Sequence, residues 1–119
     1  MIDVTFNSER KLVRAVMGGL LTTGDVDRFS QKEQEAVQAM GLASGEFLLL
    51  VETRGNVVQS REVVAAFQHL MLHSPLKAKR IATVRAGALS TLQTRRIASV
   101  RQSAEVFETV EEAQAWLFS

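Results

Sequence analysis

Cysteine and tyrosine are absent from these 119 residues, and proline occurs once. The lack of cysteine removes disulfides, thiolate catalysis and cysteine-ligated metals together. No apolar run approaches the roughly 18–20 residues that a membrane-crossing helix needs. The opening Met1-Ile2-Asp3-Val4 has neither a basic region nor an apolar stretch, so no secretory signal is expected. A cytoplasmic chain without a cofactor is the simplest expectation. Carboxylates are missing from one long stretch. Residues 63–104 carry seven Lys/Arg and no Asp or Glu, against seven and nine in residues 1–62. Residues 105–119 carry four acids and no base, so a net charge of +1 conceals three regions of different sign.

What is present suits a globular protein. A hydrophobic fraction of 46% is ordinary for a soluble domain. A chain of this length makes one domain, residues 1–119, that buries roughly two-thirds of its unfolded surface. The organising stretch is Glu46-Phe47-Leu48-Leu49-Leu50-Val51-Glu52-Thr53. Its five consecutive apolar residues, followed by Arg54-Gly55-Asn56, read as a strand buried on both faces, as in a parallel sheet covered by helices.

The flanking segments agree with that architecture. Ile2, Val4 and Phe6 alternate with polar residues, and Lys11–Met17 forms a second strand after the turn-forming Asn7-Ser8-Glu9-Arg10, making an antiparallel hairpin. Thr22 or Thr23 caps a helix with Asp25 and Asp27 in its first turn, where carboxylates suit the macrodipole. Val26, Phe29, Ala36, Val37 and Met40 form its apolar stripe, and Gly41 and Gly45 stop it. Ser60 opens a second helix that buries Val63, Phe67, Leu70 and Met71 and ends at Ser74-Pro75. Lys79–Arg85 reads as a strand. Gly87 turns the chain into a helix marked by Leu89, Leu92, Ile97 and Val100. Ala104–Phe107 is a last short strand, and Thr109-Val110-Glu111-Glu112 is a capping box for a final helix burying Val110, Ala113, Trp116 and Leu117. The order ββαβαβαβα predicts one α/β domain with a mixed sheet of about five strands, an antiparallel hairpin followed by parallel crossovers.

Three local patterns resemble the SpoIIAA-like branch of the STAS superfamily. They are Gly19-Leu20-Leu21-Thr22 at the end of the early strand, Lys79-Arg80-Ile81-Ala82-Thr83-Val84, and Val106-Phe107 followed by Glu112-Ala113-Gln114-Ala115-Trp116-Leu117. The element order fits over nearly the whole chain. The resemblance implies a STAS-like fold and a non-enzymatic regulatory or binding module. In the anti-sigma factor antagonists of this superfamily, a serine between the central strand and the next helix is phosphorylated within a D-S-x-G type motif. The corresponding Thr53-Arg54-Gly55-Asn56-Val57-Val58-Gln59-Ser60 has neither the Asp nor a Ser at the strand end. Ser60 reads as a helix N-cap or as a phosphorylation site.

The second functional reading is an anion, nucleotide or lipid-headgroup site at a strand end. Ligands of open α/β sheets bind outside the carboxyl ends of the strands. There Arg85, Gly87, Ser90 and the backbone N–H groups at the helix start can receive a phosphate or carboxylate. Arg96 and Gln93 fall between Leu89/Leu92 and Ile97/Val100, which makes them either snorkelling polar residues or part of a ligand or subunit surface. The remaining bases read as a solvated face, some of them paired with Glu105, Glu108, Glu111 and Glu112. His69 and His73, four apart on one helix, have a metal-binding spacing but no HExxH pattern or third histidine, so surface histidines are expected. Nucleic acid is not expected as a partner, since the basic window offers Phe67 as its single aromatic. The expected partner is a protein or a small anionic ligand. Leu72, on the outer side of its helix, points to a homodimer as one option. No nucleophile motif or acidic cluster suggests an enzyme.

Overall fold

The computed structural model describes residues 1–119 apart from Asn56, Ala86, Gly87, Gln102 and the side chains of Ala88, Leu89 and Ser90. Its strands form one mixed sheet in the spatial order of the sequence. β1 (Ile2–Asn7) pairs antiparallel with β2 (Leu12–Gly18), and β3 (Leu48–Arg54), β4 (Arg80–Val84) and β5 (Ala104–Phe107) follow in parallel. The helices are α1 (Thr23–Ala39), α2 (Arg61–His73), α3 (Ala88–Ala98) and α4 (Val110–Leu117), giving the expected element order.

β3 lies in the middle of the sheet, and its period-2 alternation fills both layers. Leu49 and Val51 join Val13, Ala15, Met17 and Ile81 in the core beneath α1 and α2. Leu50 points the other way and meets Leu12, Ala82, Ala113 and Leu117 beneath α4. Leu50 and Phe47 are fully buried, each removing from water a side chain worth about 1.5–3 kcal/mol. The strand starts one residue into its apolar run, at Leu48. Glu46 belongs to a turn, in which its carboxylate accepts from Ala43 N–H at 2.6 Å. Phe47 is tied instead by its carbonyl, which accepts from Lys79 N–H at 2.7 Å.

The two layers are unequal. α1, α2 and α3 pack side by side over one face, whereas α4 alone covers β3, β4 and β5 on the other. On the second face of β1 and β2, Leu12 reaches the cluster under α4, and beyond it the face carries the half-buried Val16 among polar residues. Asp3 and Thr5 are exposed there, and Arg14 donates from Nε and Nη2 to Glu52 Oε2 at 2.9 and 2.6 Å.

Local chemistry sets the helix limits. Thr22 and Asp25 form a reciprocal capping box, with Asp25 N–H donating to Thr22 Oγ1 at 3.1 Å and Thr22 N–H to Asp25 Oδ2 at 2.9 Å. These bonds favour the ionised carboxylate and hold Asp25 below its ordinary value. α1 ends at a C-cap, Met40, followed by Gly41 at φ +68°, a left-handed position that glycine takes without a Cβ penalty. Ser60 caps α2, its Oγ accepting from Val63 N–H at 3.3 Å. At α4 the expected box is half formed. Thr109 Oγ1 accepts from Glu112 N–H at 3.2 Å, but the Glu112 carboxylate accepts from the Thr109 hydroxyl rather than from its backbone.

Two expectations need correction. Leu92 does not belong to the buried face of α3, for it is 59% exposed. The inward side carries Thr94, Ile97 and Ala98, which share one helical face at i, i+3 and i+4 and line the space above the sheet. Leu89 lies outside the described side chains. The basic residues, in turn, do not pair with Glu105, Glu108, Glu111 or Glu112 among the described ion pairs. Those of Arg80 and Arg101 bond to carbonyls instead. Arg80 Nη1 donates to Trp116 O at 2.6 Å at the end of α4, where a cation suits the macrodipole, and its guanidinium lies 5.2 Å from the Trp116 ring. Arg101 Nη2 donates to Ala78 O at 2.7 Å and to Ser103 Oγ at 2.9 Å.

Candidate functional site

The three-helix layer is not closely filled. Between it and the sheet lies a cavity of about 100 Å³, reaching the carboxyl ends of β2, β3 and β4. α2 supplies Phe67, Leu70 and Met71, which are half-buried rather than packed away. Opposite them stand Thr94 and Ala98 of α3 and Ala104 of β5, too short to fill the space. Leu49, Val51 and Ile81 form the floor, and Phe29, tilted against Phe67 with ring centroids 6.3 Å apart, closes one side. The wall is therefore mostly hydrocarbon, the usual character of a small-molecule site.

Polar groups gather at the strand ends. Gln59 and Gln93 lock three segments together there. Gln59 N–H donates to Gln93 Oε1 at 2.7 Å, and Gln93 Nε2 donates back to Gln59 O at 2.8 Å. The Gln59 side chain accepts from Leu21 N–H at 2.8 Å and donates to Gly19 O at 3.0 Å. The rim is thus built from the loops after β2 and β3 together with α3. Thr53 Oγ1 donates to Val84 O at 2.9 Å, which ties the ends of the two central strands.

Arg85 follows β4 directly and is only 7% exposed. Its backbone N–H donates to Phe107 O at 2.9 Å, its Nη2 donates to Val57 O, and its Nε is buried without a partner among the described residues. Burial pulls the guanidinium below an arginine's ordinary value. Arg54 and Arg85 are the ionisable side chains among the described residues of the wall, and no carboxylate faces them from it.

The residues singled out from sequence divide. Arg85 lines the cavity and Gln93 forms its rim. Gly87 and the side chain of Ser90 lie outside the described residues. Arg96 is exposed and off the cavity wall, its carbonyl accepting from Gln68 Nε2 at 3.1 Å. Ser60 is exposed at its capping position. His69 and His73 stack on the surface with ring centroids 4.5 Å apart, and no third metal-ligating side chain joins them among the described residues. Leu72 is 46% exposed.

One buried charge escaped the sequence reading. Glu33 of α1 is 5% exposed and lines a second, smaller cavity of about 40 Å³ with Arg101, Lys77 and Ser74. Burial pushes its carboxyl from an ordinary 4.5 up to about 7, against the pull of the Arg101 guanidinium. The signal was present, since Glu33 sits four residues after Phe29 and three before Ala36 on the apolar stripe.

No protein-family model matches this chain, and no curated protein matches it. Among solved structures it is similar to an uncharacterized protein of the DUF3478 family from Shewanella loihica, described as having a SpoIIAA-like fold. The two share 19% identity with a TM-score of 0.61 over 98% of this chain and 92% of that one. The fold of this chain is SpoIIAA-like. No described helix is long and apolar enough to cross a membrane.

Proposed function

We propose that this SpoIIAA-like chain is a non-catalytic binding module whose site is the cavity between the sheet and α1, α2 and α3. The observation that carries the reading is the composition of the wall. Apolar side chains dominate it, and among its described residues there is no carboxylate, histidine or lysine to serve as a general base. Thr53 and Thr83 line it with no carboxylate, histidine or lysine beside them in the described wall that could turn either into a nucleophile. Such a wall supports capture of a partly apolar molecule better than its conversion. The Gln59–Gln93 lock links that capture to the surface, since a ligand that displaces either side chain also moves the loops after β2 and β3. A binding event can in that way alter the face presented to a protein partner.

Calorimetric titration of the purified chain with small apolar compounds tests the reading. Saturable binding with a negative heat-capacity change is expected. Ala98→Phe, which fills the cavity from α3, abolishes that binding, and the compound is recovered chemically unchanged. Binding that survives Ala98→Phe, or turnover of the compound, overturns it.

A further inference from the structure

A cation held away from water costs several kcal/mol unless an opposite charge or a full set of acceptors replaces its hydration. Arg85 has neither among the described residues. One nitrogen donates to the Val57 carbonyl, while Nε is sealed off with no acceptor. The cavity that Arg85 borders contributes no anion of its own. A guanidinium left in this condition matches one chemical group above others, a carboxylate, which takes two parallel N–H bonds along the edge formed by Nε and a terminal nitrogen. Away from Arg85 the wall turns to Phe29, Phe67, Met71 and Ile97, so whatever carries the carboxylate ends in hydrocarbon.

Size and charge narrow the class. A cavity near 150 Å³ holds benzene, so the roughly 100 Å³ here takes an aromatic ring or a short chain only where the mouth admits part of the ligand. Arg85 is the buried cation of the wall and Arg54 lies exposed at its edge, so the enclosure itself balances one negative charge. A phosphate dianion would leave its second charge without a buried partner there, which is costly.

We infer that the cavity binds a small monocarboxylate, its carboxylate on the Nε edge of Arg85 and its short alkyl or aryl tail between α2 and the sheet. This rests on the binding-module reading and adds the chemistry of the head group. Because Nε is sealed, engagement swings the guanidinium off the Val57 carbonyl. That exchange frees the carbonyl of the partly exposed Val57 in place of a buried cation that no anion compensates among the described residues.

The test measures binding to the full chain at pH 7 by calorimetry and thermal shift, with hexanoate, phenylacetate, their primary amides and inorganic phosphate as probes. The acids bind at least tenfold more tightly than the amides, and phosphate alone does not bind. Arg85→Met removes the preference for acid over amide, and without ligand it melts no lower than the wild type, since it removes a poorly satisfied buried charge. Arg85→Lys keeps a charge but loses the two-nitrogen edge, and it weakens hexanoate at least tenfold. Equal binding of acid and amide overturns the carboxylate assignment while leaving the cavity as a binding site. Binding of neither class overturns both. Wild-type affinity for hexanoate in Arg85→Lys refutes the proposed edge-on contact.

Discussion

Replacing Glu33 with glutamine should stabilise the protein at neutral and alkaline pH and leave it unaffected in acid. Glu33 ionises at an ordinary 4.5 in the unfolded chain and at about 7 when folded. Below pH 4.5 both states hold the proton, and the carboxyl costs nothing. Between these values the folded state binds the proton more tightly, so stability falls as pH rises, by about 1.4 kcal/mol per pH unit for this one group. Above about pH 7 the whole cost is present, on the order of 3 kcal/mol. The direction follows from burial outweighing the Arg101 guanidinium; the groups that share its small cavity are Arg101, Lys77 and Ser74. Glutamine keeps the side chain's size and removes the charge. Urea denaturation of both proteins from pH 4 to 9 is the assay, with unchanged m-values required for comparison. Glu33→Gln should gain steadily on the wild type from pH 5 to 7.5 and hold that lead above it. The corresponding melting-temperature gap is roughly 10 °C for a chain of this length. Two stability curves that run parallel across pH would refute the burial argument, because Glu33 would then ionise alike in the folded and unfolded chain.

Other substitutions test the packing. Leu50→Ala, which opens a void between the sheet and α4, should cost about 2–5 kcal/mol, whereas Leu92→Ala on the exposed side of α3 should change stability by less than about 0.5 kcal/mol. Denaturant titrations that rank these two in the opposite order would contradict the placement of α3. Ser60→Ala should lose about 1 kcal/mol as the cap of α2 is removed, with Ser60→Asp recovering it. Arg14→Met should cost about 1 kcal/mol or less, since 40% of the Arg14 side chain stays exposed, so that its pair with Glu52 is partly screened; a larger loss would mean that the open face of β1 and β2 is packed.

Much of the architecture was legible from periodicity. The apolar run through Leu50 marked the central strand, and Ile2, Val4 and Phe6 marked the hairpin. Caps at Thr22 or Thr23, at Ser60 and at Thr109 marked three helix starts, the first of them settled at Thr22, because a hydroxyl bonding the next turn's N–H is a local device visible in a few residues. α3 was harder. Its apolar residues lie on more than one side, and Leu92 drew the eye to a face that the sheet does not use. The cavity was hidden for a different reason. Phe67, Leu70 and Met71 announce a buried face, but whether that face is filled depends on the lengths of Thr94, Ala98 and Ala104 across the gap, which no single segment reveals. Arg85 could be named as a strand-end cation, yet its burial depends on the loop at Val57, 28 residues earlier. Glu33 was masked by its neighbours Gln31, Lys32, Gln34 and Glu35, which give α1 the look of a wholly solvated turn.

On the proposed assignment a small acid enters the cavity beneath α1, α2 and α3. Methyl-resolved NMR during titration with phenylacetate tests it directly, because the two sheet faces carry separate reporters. Shifts are predicted at Leu49, Val51, Leu70 and Ile81, which line the cavity, with Leu12, Leu50 and Leu117 beneath α4 unmoved. Shifts centred on the α4 face, or none at saturating ligand, would contradict it.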